Sequence, residues 1–196
     1  MFAGSSGRYS ASDFAGEGAQ GIGRLFRTEE RILRVRICAP RIPIVRCDAE
    51  IGLLEWNSPT LWKAEYQGLA DGYVFFAEDI FGGQFCFAES GVCQFDPETG
   101  QTEEIAKDLE GWAEMIFRDY RVLTGYPLAH EWQRANGALA SGLRLVPKIP
   151  FVTGGKFELQ NLYPLEAVTA MRLRASIAVQ IRDRPDGSQI RLKVID

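Results

Sequence analysis

The stretch GYVFFAEDIFGGQFCFAESGVCQFDPETGQTEEIA, residues 72–106, decides the fold class. Short runs of β-branched and aromatic residues alternate in it with turn residues, the pattern of an antiparallel meander. Its strands are read at Tyr73–Ala77, Gln84–Ala88, Val92–Phe95 and Thr102–Ala106, with Pro97-Glu-Thr-Gly100 as the turn after Asp96. Between the second and third strands, a three-residue loop Glu89-Ser90-Gly91 with a left-handed glycine pairs Phe87 with Cys93 and Phe85 with Phe95. That register gathers the phenylalanine pairs on one face. It sends Cys86 and Cys93 to opposite faces, where they cannot form a disulfide.

Helical signals follow the meander. Asp108 is an N-cap for a helix to about Leu123, because Leu109, Trp112, Ile116 and Leu123 recur near a 3.6-residue period and Gly125 supplies the stop. A second helix, Leu128 to about Asn136, carries His130 and Trp132 and closes at Gly137. Two prolines make Val146–Val152 extended, at a sheet edge. Pro164-Leu-Glu166 reads as the first turn of a helix with Val168, Met171, Ala175, Ala178 and Arg182 on one stripe, followed by a final strand through Ile190, Leu192 and Val194. The rival reading is a hairpin, since Leu173, Ala175, Ile177, Val179 and Ile181 also alternate.

Upstream, Arg31–Ile37 alternates as a half-buried strand ended by Pro40 and Pro43. Ser58-Pro59 opens a short helix Thr60–Tyr66 that ends at Gly68 or Gly72. Residues 1–23 are rich in Gly, Ser and Ala, so residues 1–30 are read as a flexible or divergent segment before one domain over 31–196. The expected fold is α+β, a mostly antiparallel twisted sheet with helices packed around it.

With 46% hydrophobic and 24% charged residues, the 196-residue chain has the composition of an ordinary globular protein. The sequence contains no apolar run of membrane-spanning length and no signal-peptide pattern, which predicts a cytoplasmic protein without membrane contact. Cys38, Cys47, Cys86 and Cys93 include no C-x-x-C pair and read as core residues; a zinc site is not expected. Trp56, Trp62, Trp112 and Trp132 read as core, with Trp56 the one to move first to a binding surface.

The run Val74–Phe87, the strand ending Val92-Cys-Gln-Phe95 and the helix soon after resemble the SUKH superfamily. Its pattern of an acidic strand end, an aromatic-glycine turn and a glycine hairpin falls here on Asp79, Phe81, Gly82, Gly83, Phe85 and Gly91, with Gly83 where the family usually has Asn. Arg144–Gly155, Asn161-Leu162 and Pro185-Asp-Gly187 resemble one bacterial branch, extending the similarity from about Leu54 to the C-terminus. The resemblance implies a non-catalytic partner-binding domain. Many bacterial members look like antidotes to secreted toxins, often nucleases or deaminases, and a yeast relative regulates cell-wall synthesis.

Catalytic and cofactor motifs are missing from the sequence: it has no G-x-S-x-G elbow, no G-x-G-x-x-G after a strand and no phosphate-binding G-x-x-x-x-G-K-[ST]. No cofactor is expected. Gly154-Gly155-Lys156 reads as a turn rather than a phosphate loop, and Glu78, Asp79 and Asp96 as strand-end carboxylates rather than metal ligands. His130 beside Glu131 cannot act as a catalytic pair, since neighbours on a helix do not face each other. An enzyme would instead bring His130 and carboxylates such as Asp79 together in a pocket.

The charge is uneven. Residues 78–114 carry ten acids and one base, Lys107, whereas residues 115–196 carry seven acids and twelve bases. A carboxylate-rich face steers a basic partner and selects it. Glu78, Asp79, Glu89, Asp96 and Glu98, at strand ends and turns, are therefore the expected partner-binding residues. The partner implied is a cognate toxin domain with a basic surface, with no direct contact to nucleic acid. The alternatives are an adaptor or regulator of the same fold and an unrecognised enzyme.

Overall fold

The structure, a computed structural model, describes residues 33–35, 51–185 and 187–189. A five-stranded antiparallel sheet runs in the order β1 (Leu33–Val35), β2 (Val74–Asp79), β3 (Gln84–Ala88), β4 (Gly91–Phe95) and β5 (Thr102–Ala106). Helices α1 (Leu53–Trp56), α2 (Leu109–Leu123), α3 (Tyr126–Asn136) and α4 (Ala167–Ile181) surround it, and β6 (Leu143–Pro147) pairs with β7 (Leu162–Glu166) in a second, two-stranded antiparallel sheet. This is an α+β fold. The expected strand after α4 and the N-terminal segment lie outside the described residues, as do Cys38 and Cys47; of the strand at Arg31–Ile37, Leu33–Val35 is described.

The meander strands fall within two residues of where the alternation placed them, β2 running on past Ala77 to Asp79, but one register differs. Glu89 and Ser90 make the whole turn, and the pairs are Phe85 with Gln94, Cys86 with Cys93 and Phe87 with Val92. Gly91 belongs to β4 at φ 147°, where a Cβ would stand 2.5 Å from the Ala106 carbonyl oxygen. The glycine is required both by this positive φ and by the close approach of β5. Cys86 and Cys93 therefore face each other on one side of the sheet, both buried and both free thiols.

The sheet has a core on each face. On one, Trp56, Trp62, Tyr66, Phe75, Cys86, Cys93 and Phe95 pack with Met171, Ala175 and Ala178 of α4. Rings in this cluster meet edge-on, Trp62 with Phe75 at 4.9 Å and Phe75 with Phe95 at 5.2 Å between centroids, contacts worth about 0.5–1.5 kcal/mol each beyond their area. On the other face, Phe76, Phe85 and Val92 pack on Trp112, Ala113 and Ile116 of α2. An irregularity between Phe75 and Ala77 in the β2–β3 register lets Phe76 and Ala77 share that second core. A third cluster, Ile80, Ala129, Trp132, Leu145 and Leu162, joins α3 to the small sheet.

Caps decide the helix ends. Asp108 accepts a hydrogen bond from Gly111 N at 2.8 Å, and Gly125, at φ 68°, ends α2 and starts α3. The Glu166 carboxylate accepts from Val168 N and Thr169 N and starts α4. The helix reading of this segment holds from Ala167, while Pro164 is a strand residue opposite Leu145. The helix expected at Thr60–Tyr66 is instead a 3-10 turn at Lys63–Tyr66, preceded by the short α1; the Ser58 hydroxyl meets Thr60 Oγ1 and caps no backbone N–H. The residues at 67 and 68, both at positive φ, stop the turn.

Candidate functional site: an acidic edge above a mixed-charge pocket

Burial by neighbouring elements fixes the fate of each acid in the sequence-predicted set. Glu78 is 1% exposed. It pairs with Arg144 of β6 and accepts a hydrogen bond from Gln84 Nε2 at 3.2 Å. Gln84 in turn accepts from Trp56 Nε1 at 2.9 Å, so a buried polar chain runs from α1 through the main sheet to the small one. Trp56 is fully enclosed and belongs to this chain rather than to a binding surface. Buried charges persist where such partners meet them.

Asp79 is 8% exposed and shapes the β2–β3 turn. Its Oδ1 accepts from Phe81 N and Gly83 N, both at 2.8 Å. Burial outweighs these bonds and the nearby Arg174 charge and raises its pKa to about 7. Glu98 is 4% exposed, accepts from Val152 N at 2.9 Å, and is likewise pushed up by burial. Glu89 and Asp96 are exposed; Asp96 orders its turn by accepting from Glu98 N and the Thr99 hydroxyl. The five residues do not form one exposed face: burial withdraws Glu78, Asp79 and Glu98 into the structure.

The exposed acids are instead Glu89, Asp96, Glu103, Glu104, Asp108, Glu110 and Glu114. They follow β5, an edge of the sheet, from the Asp96 turn to the start of α2. Gly91 packs on the backbone of Ala106 and Lys107, which brings the turn bearing Glu89 beside that helix start.

Beneath this edge lies a pocket of about 560 Å³ lined by Asp79, Glu98, Glu103, Phe151, Phe157 and Arg174, among others. Arg174 donates to the Phe81 carbonyl. Its place was legible on a helical wheel, since 174 falls among Met171, Ala175 and Ala178 on the buried face of α4. Phe151 and Phe157, stacked at 3.7 Å, come from a segment whose prolines masked any periodicity. His130 is not among the lining residues; its ring stacks on Tyr126. Gly154 N and Gly155 N donate to Phe151 and Pro150 carbonyls, completing a turn. Among the described residues, no group of three His, Cys, Asp or Glu side chains is placed to hold a metal ion, and no helix is long and apolar enough to cross a membrane.

No protein-family model and no curated protein matches the sequence. Among solved structures, the crystal structure of Atu4351 from Agrobacterium tumefaciens is similar to 60% of this chain at 16% identity and a TM-score of 0.38, and the chain spans 63% of that protein. A likeness of that size assigns neither fold nor role.

Proposed function

We propose that this chain is a non-catalytic protein-binding domain that engages a partner with a basic surface through the acidic edge of β5 and the first turns of α2. The observation that carries the reading is the run of exposed Glu103, Glu104, Asp108, Glu110 and Glu114 on adjoining elements, interrupted by Lys107 alone. Carboxylates on an edge strand also deter pairing with other sheets. That effect needs one or two charges on the strand itself, however, and does not account for the helix residues beyond it. Exposed charges steer encounter and select partners more than they add affinity. In the SUKH-like setting the partner is a toxin domain whose basic surface serves a phosphate backbone, and the chain acts as its antidote.

The test begins by capturing partners from the native host with the wild-type chain, followed by mass spectrometry. Association of the captured partner is then measured for wild type and for Glu103→Lys/Glu104→Lys at low and high salt. Charge reversal should slow association about tenfold at low salt and much less at high salt. Equal association rates with the fold intact would sink the proposal. Rescue of growth in cells expressing the partner separates an antidote from a regulator.

A further inference from the structure

The pocket beneath the acidic edge holds two charged groups whose bonding capacity the fold leaves partly open. Arg174 is 4% exposed and has five N–H donors, of which one meets the Phe81 carbonyl. Among the described residues it forms no ion pair within 4.0 Å. Asp79 places both of its backbone bonds on Oδ1, and Oδ2 accepts none among the described residues. Both groups line the same cavity.

The turn between them is cut back to make room for them. A Cβ at Gly82 would stand 2.9 Å from Arg174 Nη1, and one at Gly83 would stand 2.6 Å from Asp79 Oδ2. Two successive glycines therefore let a buried cation and a buried anion pack against one turn, more than 4.0 Å apart, where both reach the pocket wall. Phe81, Phe151 and Phe157 supply an apolar wall, with Phe157 65% exposed at the mouth.

A purely anionic ligand would meet Arg174 but also Asp79, Asp96, Glu98 and Glu103. A purely cationic one would meet those acids but give Arg174 no anion. We infer that the pocket binds a small zwitterion, an α-amino acid with an apolar or aromatic side chain, its carboxylate on Arg174, its ammonium on Asp79 Oδ2 and its side chain against Phe81 and Phe157. Charge-assisted hydrogen bonds to groups already desolvated and held in place are the strong kind. The volume of about 560 Å³ lies within the range of small-molecule sites. This site differs from the protein-binding reading in its occupant, a small molecule, while Asp96 and Glu103 belong to both the pocket wall and the acidic edge.

The experiment titrates the full chain by calorimetry near pH 8 with L-phenylalanine and its two half-ligands, 2-phenylethylamine and 3-phenylpropionate. L-phenylalanine should saturate a single site, with each half-ligand at least about tenfold weaker. Asp79→Asn keeps an oxygen for the Phe81 and Gly83 N–H groups and removes the charge. It should weaken phenylalanine about tenfold and leave 3-phenylpropionate no weaker. Phe157→Ala, at an exposed position that leaves the core intact, should weaken every ligand bearing the ring. No saturable binding of L-phenylalanine below about 10 mM, or a half-ligand binding as tightly as the zwitterion, overturns the inference. Equal binding by 2-phenylethylamine in particular would mean that the pocket takes a plain cation.

Discussion

Replacing Asp79 by asparagine should make the protein more stable, and increasingly so as pH rises. Burial lifts the carboxyl from 3.8 to about 7 in the folded state, against the opposing pull of Arg174 and two backbone N–H groups and with the help of Glu78. Below about pH 3 the group is protonated whether the chain is folded or not, and no difference arises. Between about pH 4 and pH 7 the unfolded chain gives up the proton while the native state keeps it, so the native state binds more protons and its stability falls with rising pH. Above about pH 7 both states are ionised and the cost is constant, on the order of 4 kcal/mol for a displacement of this size. Asparagine keeps the turn's acceptor and has no charge to bury. The variant's advantage over wild type should therefore grow by roughly 2.5 kcal/mol between about pH 5 and pH 8. Urea unfolding followed by tryptophan fluorescence at both values measures it, and comparing the two proteins cancels the other titrating groups. An advantage that stays constant across this range would refute the account of Asp79. A carboxylate held at such a cost in a concavity fits a ligand-binding role, because a cationic group that meets it recovers part of that cost.

Three further outcomes follow from particular contacts. Glu78→Gln leaves the Arg144 guanidinium buried without its counter-charge and should destabilise by about 3–5 kcal/mol; the paired change Glu78→Leu/Arg144→Met should recover much of that loss in the same denaturant assay. Gly125→Ala puts a Cβ 2.0 Å from Phe81 Cε2 at a φ of 68°, so a loss of roughly 1–3 kcal/mol is expected, visible as a lower unfolding midpoint. Cys86 and Cys93 are enclosed between two packed strands and burial raises both thiols, so peptide mapping after maleimide treatment of the native protein should find both unlabelled and both modified once it is unfolded.

The meander and the capped α2 were legible because their signals are local: alternation over five residues, an Asp three positions before a backbone N–H. The β3–β4 register was not, because Gly91 looks like a turn glycine in sequence while it stands inside β4, where Ala106, fifteen positions on, approaches its bare Cα. The start of α4 was misplaced by a few residues since proline suits both a first helical turn and a strand edge, and only pairing with Leu145 decides between them. Within the acidic segment, sequence located the charge but not its exposure. Glu78 and Glu98 look like solvated strand-end and turn residues until Arg144 and Val152, brought back by the second sheet and its loop, close over them. The pocket's floor could be seen in one symptom, an arginine on the apolar stripe of a helix. Its pairing with the Gly82-Gly83 turn spans ninety residues and no local pattern reports it.

The buried chain from Trp56 through Gln84 and Glu78 to Arg144 also limits how this protein can diverge. A single replacement at any of the four positions strands a donor, an acceptor or a charge in the interior, so mutational paths through one-residue steps pass through poorly folded intermediates. Descendants should therefore keep all four residues together or exchange them as a block for apolar side chains, and a homologue carrying only half of the set should have rebuilt the junction between its two sheets.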